Sequence, residues 1–478
     1  MPPLTPPLAD LRAHGAVLLI SCYELGHQPL GLASPAEYLH HHGYHPRLLD
    51  LAVEPIVEDS IREARFVGIS VPMHTALSLG VRVARHVRRL NPSCLLCFYG
   101  LYAPLNEEFL LQELADSIIG GEYEIPLINW LHALERGTAE PVEGVSIPQS
   151  PRPPWIGRGV SNSRVYRKPR RENLPPLDRY AHLEIRGQQV TAGSVETTRG
   201  CRHRCLHCPI TPIYGGRFFV VPREIVLEDV RALVGRGAMH ITFGDPDFLN
   251  GPGHSMAVAR DVHEEFPQVT FDITAKVEHL LRYPHLLPEL SALGCLFIVS
   301  AVESLSDLVL SNLDKGHSKA DVATAVRLVS DAGMALRPSL LPFTPWSTLE
   351  DYLELLDFIV THRLVGNIDP VQLTIRLLVP PGSALLGTPQ FEPYRGPLDP
   401  EAFTYRWEHP DPLMDRLQEI VAALVERAAE AAEAPELTFG KIRQAAQELA
   451  GIPSQPEDSA YPPFPPGETP RLSEPWFC

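Results

Sequence analysis

The chain has 478 residues, 44% hydrophobic and 21% charged, ordinary globular values that exclude a wholly disordered chain, a collagen-like repeat or a supercharged tail protein. Its formal charge of −17 repels phosphate backbones and argues against a general nucleic-acid binder. No apolar run reaches the roughly 18 residues of a membrane span, and the opening MPPLTPPLADLRAHG has no signal-peptide pattern, so the expected location is the cytoplasm with no membrane partner.

From Gly15 to about Leu134 short apolar runs alternate with amphipathic stretches. AVLLIS, RLLDLAV, FVGISV, LLCFYG and SIIGG read as strands, and SPAEYLHHHG and HTALSLGVRVARHVRRL as helices, the second ended by Asn91-Pro92. The rhythm predicts an open parallel Rossmann-type sheet over residues 1–135, with ligands at the carboxyl ends of its strands. Those ends carry SCYELGHQPLG, VPMHTA and GLYAPLN, without a phosphate-cradling GxGxxG. His40, His41 and His42 belong to a solvated helix end, and Cys97 in a strand and Cys94 just before it read as buried or partly buried small residues rather than a metal pair.

Residues 136–185 are rich in Pro and Arg and read as a linker. A second α/β rhythm follows over 186–390, its strands QVTAGSVETTRG, MHITFGD, VTFDITA, LFIVSAVE, ALRPSLLPF and VQLTIRLLV predicting a partial (β/α)6 barrel of the TIM type. Residues 391–450 are expected to form a helical extension, and 451–478 a Pro-rich tail ending in Cys478.

In a reducing compartment eight cysteines are better read as metal or catalytic than as disulfides. Three form the CxxxCxxC Cys201, Cys205, Cys208, placed directly after a predicted strand. Three thiolates on one loop ligate three irons of a [4Fe-4S] cubane and leave the fourth open to a chelating ligand. The competing reading is zinc with His203 or His207 as a further ligand, but structural zinc usually joins two spaced ligand pairs, and no partner pair is found.

CxxxCxxC at the end of a first barrel strand resembles the radical S-adenosylmethionine (SAM) superfamily, over roughly residues 190–385. The resemblance implies a [4Fe-4S] cluster on Cys201, Cys205 and Cys208, SAM as second cofactor, and an electron donor such as a flavodoxin or ferredoxin. It implies that Gly244, Asp245 and Asp247, in GDPDF, stand where the family contacts the methionine amino group, and that Glu303 stands where it binds the ribose hydroxyls. Lys315-Gly316 and Pro380-Pro381-Gly382-Ser383 also fall at familiar offsets. Read without it, Asp245, Asp247 and Glu303 are turn or capping residues. Two departures are His207 in place of an aromatic residue, and Pro342-Phe343-Thr344-Pro345-Trp346 in place of a Gly-rich adenine-binding turn.

The N-terminal part resembles the cobalamin-binding domain of cobalamin-dependent radical enzymes, although Leu25-Gly26-His27 lacks the Asp-x-His-x-x-Gly ligand signature, so cobalamin and a bare scaffold both stay open. SCYELGHQPLGLASP, SVPMHTALSLG, CFYGLYAPLN and the ending SEPWFC resemble the CUAEP/CCAEP-tail radical SAM proteins. This second likeness implies a catalytic redox or soft-metal pair built on Cys478 and a missing cysteine or selenocysteine, with the sequence stopping at an in-frame UGA. The expected activity is reductive cleavage of SAM, transferring a methyl or other SAM-derived group to, or abstracting hydrogen from, an unknown small molecule or peptide. The alternatives are a non-catalytic iron-sulfur sensor or scaffold, and an aminocarboxypropyl transferase acting on a soft element held by the tail cysteine.

Overall fold

The computed structural model describes residues 10–137, 141–148, 166–452 and 469–474. Its first sheet contains β1 (Val17–Ser21), β2 (Arg47–Asp50), β3 (Phe66–Ser70), β4 (Leu95–Tyr99) and β5 (Ser117–Ile119), parallel in the order β2-β1-β3-β4-β5, with β6 (Val145–Ser146) antiparallel at the edge. Strands such as VLLIS and FVGIS are buried throughout, because helices cover both faces and neither face needs polar residues. The helix His74–Leu90 buries Ala76, Leu77, Gly80, Val81, Ala84 and Val87 on one stripe. It ends where the Asn91 side chain donates to the carbonyls of Ile61 and Ala64. The strand order reverses between β1 and β3, and such a switch point opens a crevice beyond the strand ends.

The second sheet curls into a half barrel. After β7 (His182–Ile185) come β8 (Gln188–Val195), β9 (Thr198–Gly200), β10 (Phe218–Val220), β11 (His240–Phe243), β12 (Thr270–Thr274), β13 (Cys295–Glu303) and β14 (Ala335–Leu340). Five of these, β8-β11-β12-β13-β14, run parallel in that spatial order, while β7 pairs antiparallel with β8 and β9 with β10. Alternation along the strands separates two faces. Ile241, Phe243, Phe271, Ile273, Ile298 and Leu336 pack against the outer helices in one apolar core. Ser194, His240, Thr242, Asp272 and Arg337, all buried, occupy the alternate, inward positions.

The sixth predicted strand is reduced to one parallel bridge, Phe343 to Arg376. Pro370 opens a 3-10 turn over Pro370–Thr374, and the Gln372 side-chain oxygen accepts the Leu340 N–H at 3.0 Å. A side chain thus takes the place of a ladder carbonyl.

Within the Pro/Arg-rich segment Arg171 is buried in a bidentate pair with Asp229 (2.7 and 2.8 Å) and reaches Gln28 and the Ser194 carbonyl. The hairpin β15 (Leu398–Asp399) and β16 (Thr404–Tyr405) precedes two helices, Pro412–Glu430 and Pro435–Leu449, whose Met414, Leu417, Val421, Phe439 and Ile442 join the barrel core. The chain returns as β17 (Arg471–Leu472), antiparallel to β7. No helix among the described residues is long and apolar enough to cross a membrane.

Candidate functional site

The cysteine loop leaves β9 at Gly200, whose φ of 76° favours glycine. A Cβ there would stand 2.5 Å from the Arg217 carbonyl oxygen and from the Tyr214 ring, so the close approach also requires it. The loop is then held from several sides. Thr211 Oγ1 donates to the Cys205 carbonyl (2.9 Å), Cys208 N–H to the same carbonyl (3.2 Å), and Leu206 N–H to the Leu313 carbonyl (3.0 Å). Asn250 Nδ2 donates to Cys201 Sγ at 3.6 Å, while its Oδ1 accepts the Arg202 N–H at 3.3 Å. Asn250 escaped the sequence reading, since no motif spacing marks it.

Burial pushes the Cys208 thiol up to about 12 and raises Cys201 as well, with the negative charge of the neighbouring thiolates adding to both and the Lys315 ammonium opposing at Cys208. Three thiols close enough to repel one another as anions, in a half-buried loop, are stabilised as thiolates by a cationic metal centre. The donor set therefore fits an iron-sulfur cluster.

Glu303 ends β13 with φ 64°, a left-handed conformation that costs a non-glycine residue energy and concentrates at functional sites. A register shift between Ala301 and Glu303 re-aims the side chain. It accepts Lys315 Nζ at 3.0 Å and faces His207 Nε2 at 3.4 Å. Burial alone would raise its pKa, but the Lys315 charge and the His207 contact hold it well below the carboxylate range. The third cysteine's loop and the fourth strand's end thus meet at one buried ion pair.

The two aspartates of GDPDF turn in different directions. Asp245 accepts Thr197 N–H (3.2 Å), Thr197 Oγ1 (2.9 Å) and Thr198 Oγ1, so its carboxylate clamps the link between β8 and β9. Burial pushes it up to about 6 against those donors. Asp247 accepts Leu249 N–H with Oδ1 (3.0 Å) and faces His279 Nδ1 (2.8 Å) and His203 Nε2 (3.5 Å) with Oδ2. Gly244 places its backbone beside Ser194, where a Cβ would come within 3.3 Å of the hydroxyl.

The first sheet meets this site through Arg199 of β9, which pairs with Glu122 (3.2 Å), Glu124 (2.7 Å) and Glu196 (2.9 Å). His27, in the loop after β1, is pulled down to about 4 by burial, and the charges acting on it include Asp272, His240 and Arg171. Cys478 lies outside the described residues. The segment before it is fastened by Arg471 to Glu184 (2.9 Å), Ser473 N–H to the His182 carbonyl (2.8 Å) and Tyr23 OH to Glu474 (2.7 Å). His40 and His41 close the helix Leu30–His41 at its end, and Cys94 and Cys97 are buried.

The Radical SAM superfamily model matches residues 195–359, the stretch that carries the cysteine loop, Asp245, Glu303 and Lys315. Residues 195–359 thus form a radical SAM domain. The chain is 24% identical over 345 residues to the hopanoid C-3 methylase of Methylococcus capsulatus, covering 70% of the chain and 64% of that protein. An uncharacterized methyltransferase of Pyrococcus horikoshii is 22% identical, with 73% of the chain and 75% of the relative covered. Among solved structures, OxsB, a cobalamin-dependent SAM radical enzyme with aqua-cobalamin bound, superposes with TM-score 0.65 at 16% identity (89% of this chain, 72% of that one). TsrM from Kitasatospora setae, a radical SAM methyltransferase with tryptophan and a SAM analogue bound, gives 0.59 at 19% identity (73% and 71%). At these identities the superpositions speak for the fold.

Proposed function

We propose that the chain transfers a SAM-derived group, a methyl group in the first instance, to a small-molecule or peptide acceptor lodged between the two sheets. The observation that carries this reading is the convergence of Cys201, Cys205 and Cys208 with the buried Glu303–Lys315 pair at adjoining strand ends. The cluster, when bound, supplies through an iron without a protein ligand the electron that breaks a carbon–sulfur bond of SAM. The chain's own residues do the rest. Cys201, Cys205 and Cys208 hold three irons, and Asn250 orients Cys201. Glu303, kept ionised by Lys315, would accept the ribose hydroxyls, and the Gly244–Asp247 turn would offer its backbone carbonyls to the methionine ammonium, held in place by the Asp245 and Asp247 side chains. The inward His240–Asp272–Thr242 group, joined at 2.9 and 2.7 Å, and Arg337 give the acceptor a polar floor that an enclosed radical enzyme needs to exclude water without losing orientation.

Corrinoid binding is the second element of the proposal, and the β2-β1-β3-β4-β5 order supports it: the order reverses between the paired strands β1 and β3, and the loops of His27, Met73 and Tyr102 follow β1, β3 and β4 at the strand ends where such sheets bind ligands. We place Cys478 as a redox or soft-metal thiol serving this site, supported by the anchoring of residues 469–474 beside the loop of Tyr23. A flavodoxin or ferredoxin as electron donor and a cytoplasmic location complete the reading, consistent with cysteines used as metal ligands.

The test is anaerobic incubation of reconstituted full-length protein with reductant and SAM, followed by mass spectrometry of the spent cofactor, with and without hydroxocobalamin. S-adenosylhomocysteine and 5′-deoxyadenosine point to methyl transfer through hydrogen abstraction. Methylthioadenosine alone replaces it with aminocarboxypropyl transfer, and intact SAM returns the protein to a sensor or scaffold.

A further inference from the structure

We propose that His203, Asp247 and His279 form a second metal site, separate from the cluster, that takes one divalent transition ion of the zinc or iron(II) type. The residues come from three segments: the cysteine loop, the turn after β11, and the helix Val277–Arg282 that follows β12. Their ligand atoms, His203 Nε2, Asp247 Oδ2 and His279 Nδ1, lie within 4.8 Å of one another. Ligands bound to one ion at about 2.0–2.2 Å stand roughly 2.8 to 3.6 Å apart, from adjacent octahedral to tetrahedral positions. The Asp247 distances of 2.8 Å to His279 and 3.5 Å to His203 match that spacing.

The second observation is what these atoms lack. All three are buried without a hydrogen-bond partner, although Asp247 is fully buried and the two rings approach it closely. A hydrogen-bonded His–Asp–His relay would aim an N–H along each short vector, and neither contact has that alignment. Three lone-pair atoms turned toward one point, in a place closed to water, are what an ion satisfies and what a proton between two of them does not.

On Asp247 and His203 the other polar atom has a neighbour that helps fix the ligating one. Asp247 Oδ1 is taken by the Leu249 N–H, which leaves Oδ2 for the ion. His203 Nδ1 faces Glu278 Oε2 at 3.5 Å, and Glu278 in turn faces Lys276 Nζ at 3.5 Å. A carboxylate behind a ligating imidazole sets its tautomer and orientation and raises its basicity. The rings of His203 and His279 stand 4.7 Å apart at 59°, so both reach a common point without stacking.

Two imidazoles and one carboxylate on an ion leave further positions for water or a substrate heteroatom, and oxygen and nitrogen donors suit zinc or iron(II) rather than soft copper(I). The ion would also tie the cysteine loop to the ends of β11 and β12. Its place in the chain is independent of which SAM fragment is transferred.

The experiment uses full-length, cluster-reconstituted protein, freed of adventitious metal by brief chelation and titrated anaerobically with Co²⁺, with sulfide assayed in parallel. The expected result is one cobalt per chain beyond the cluster iron, with a d–d spectrum free of thiolate-to-cobalt charge transfer. His279→Ala and the isosteric Asp247→Asn are each expected to weaken cobalt binding by more than about 100-fold at unchanged sulfide content, and Glu278→Gln by about 10-fold. Wild-type protein that binds no cobalt beyond the cluster, a thiolate signature, or unaltered affinity in Asp247→Asn overturns the site. If His279→Ala loses its cluster, Asp247→Asn and Glu278→Gln carry the decision.

Discussion

Two parallel sheets built from the same strand–helix rhythm put opposite residues at their centres. In the first, Val17 and Leu19 pack into one apolar cluster and Leu18 and Ile20 into another, because helix layers close both faces. In the second, one face packs against helices, while the other, curled around a lumen, buries His240, Thr242, Asp272 and Arg337. A flat sheet between two helix layers has no interior, so any chemistry it supports lies beyond its strand ends. A curled sheet has one, and polar groups there must satisfy each other, as His240 does with Asp272 and Thr270.

The largest contrast is in the cysteines. Cys205→Ala should abolish both the visible cluster absorption and SAM cleavage, as should Cys201→Ala and Cys208→Ala. Cys97→Ala, an equally buried thiol in β4, should leave both intact and cost only roughly 1–2 kcal/mol of stability through the small cavity it leaves. Cluster loss in the Cys97 variant would erase the distinction between the two sheets.

Next in size is the ion pair. Lys315→Met leaves Glu303 buried without its cation and should destabilise the chain by about 3–5 kcal/mol, whereas the double variant Lys315→Met/Glu303→Gln should recover most of that. Arg12→Met, which breaks a half-exposed pair with Glu135 in the first domain, should cost less than about 1 kcal/mol. Glu303 is depressed and Lys315 raised in the folded chain. The Glu303 contribution is therefore complete above its unfolded value and lost as pH falls through its folded one. That of Lys315 is complete below its unfolded value and lost as pH rises through its folded one. Chemical denaturation near neutrality should show no pH dependence from this pair; a slope there that Lys315→Met removes would contradict the assignment.

The legibility of the two halves differs for the same reason. Continuous apolar runs such as AVLLIS and FVGISV mark doubly covered strands without help from any motif, and the parallel first sheet follows from them. The half barrel was legible through strand rhythm and the CxxxCxxC spacing, but VQLTIRLLV misled, since neither periodicity nor propensity reveals that Gln372 would replace a ladder carbonyl. Residues that act across the fold left no local trace. Asn250 against Cys201, Arg199 against Glu122 and Glu124, and Arg171 of the Pro/Arg-rich segment against Asp229 are contacts between distant segments, which spacing rules do not register. His203 was visible beside the cysteines, but His279 had nothing to distinguish it until the fold brought the two together.

The smallest expected effect compares two aspartates at strand ends. Asp50 at the end of β2 and Asp245 just after β11 are both pushed up to about 6 by burial, against donors that favour the charged form: Tyr180 OH and Ala52 N–H for the first, and the Thr197 and Thr198 groups for the second. The ordinary aspartate value is about 3.9. Each folded-state pKa lies above its unfolded one, so between those values the native chain binds the extra proton. The contribution to stability is complete below about 4 and declines as pH rises to about 6. Asp50→Asn and Asp245→Asn should each flatten that part of the stability profile, read by urea denaturation at a series of pH values. They should differ in a second readout, because Asp245 clamps the β8–β9 link that leads into the cysteine loop, while Asp50 holds Tyr180 at the edge of the first sheet. Asp245→Asn should therefore speed loss of cluster absorption on exposure to a chelator several-fold, and Asp50→Asn should not. Equal rates in the two variants would mean that the Asp245 clamp stabilises the barrel without positioning the cysteine loop.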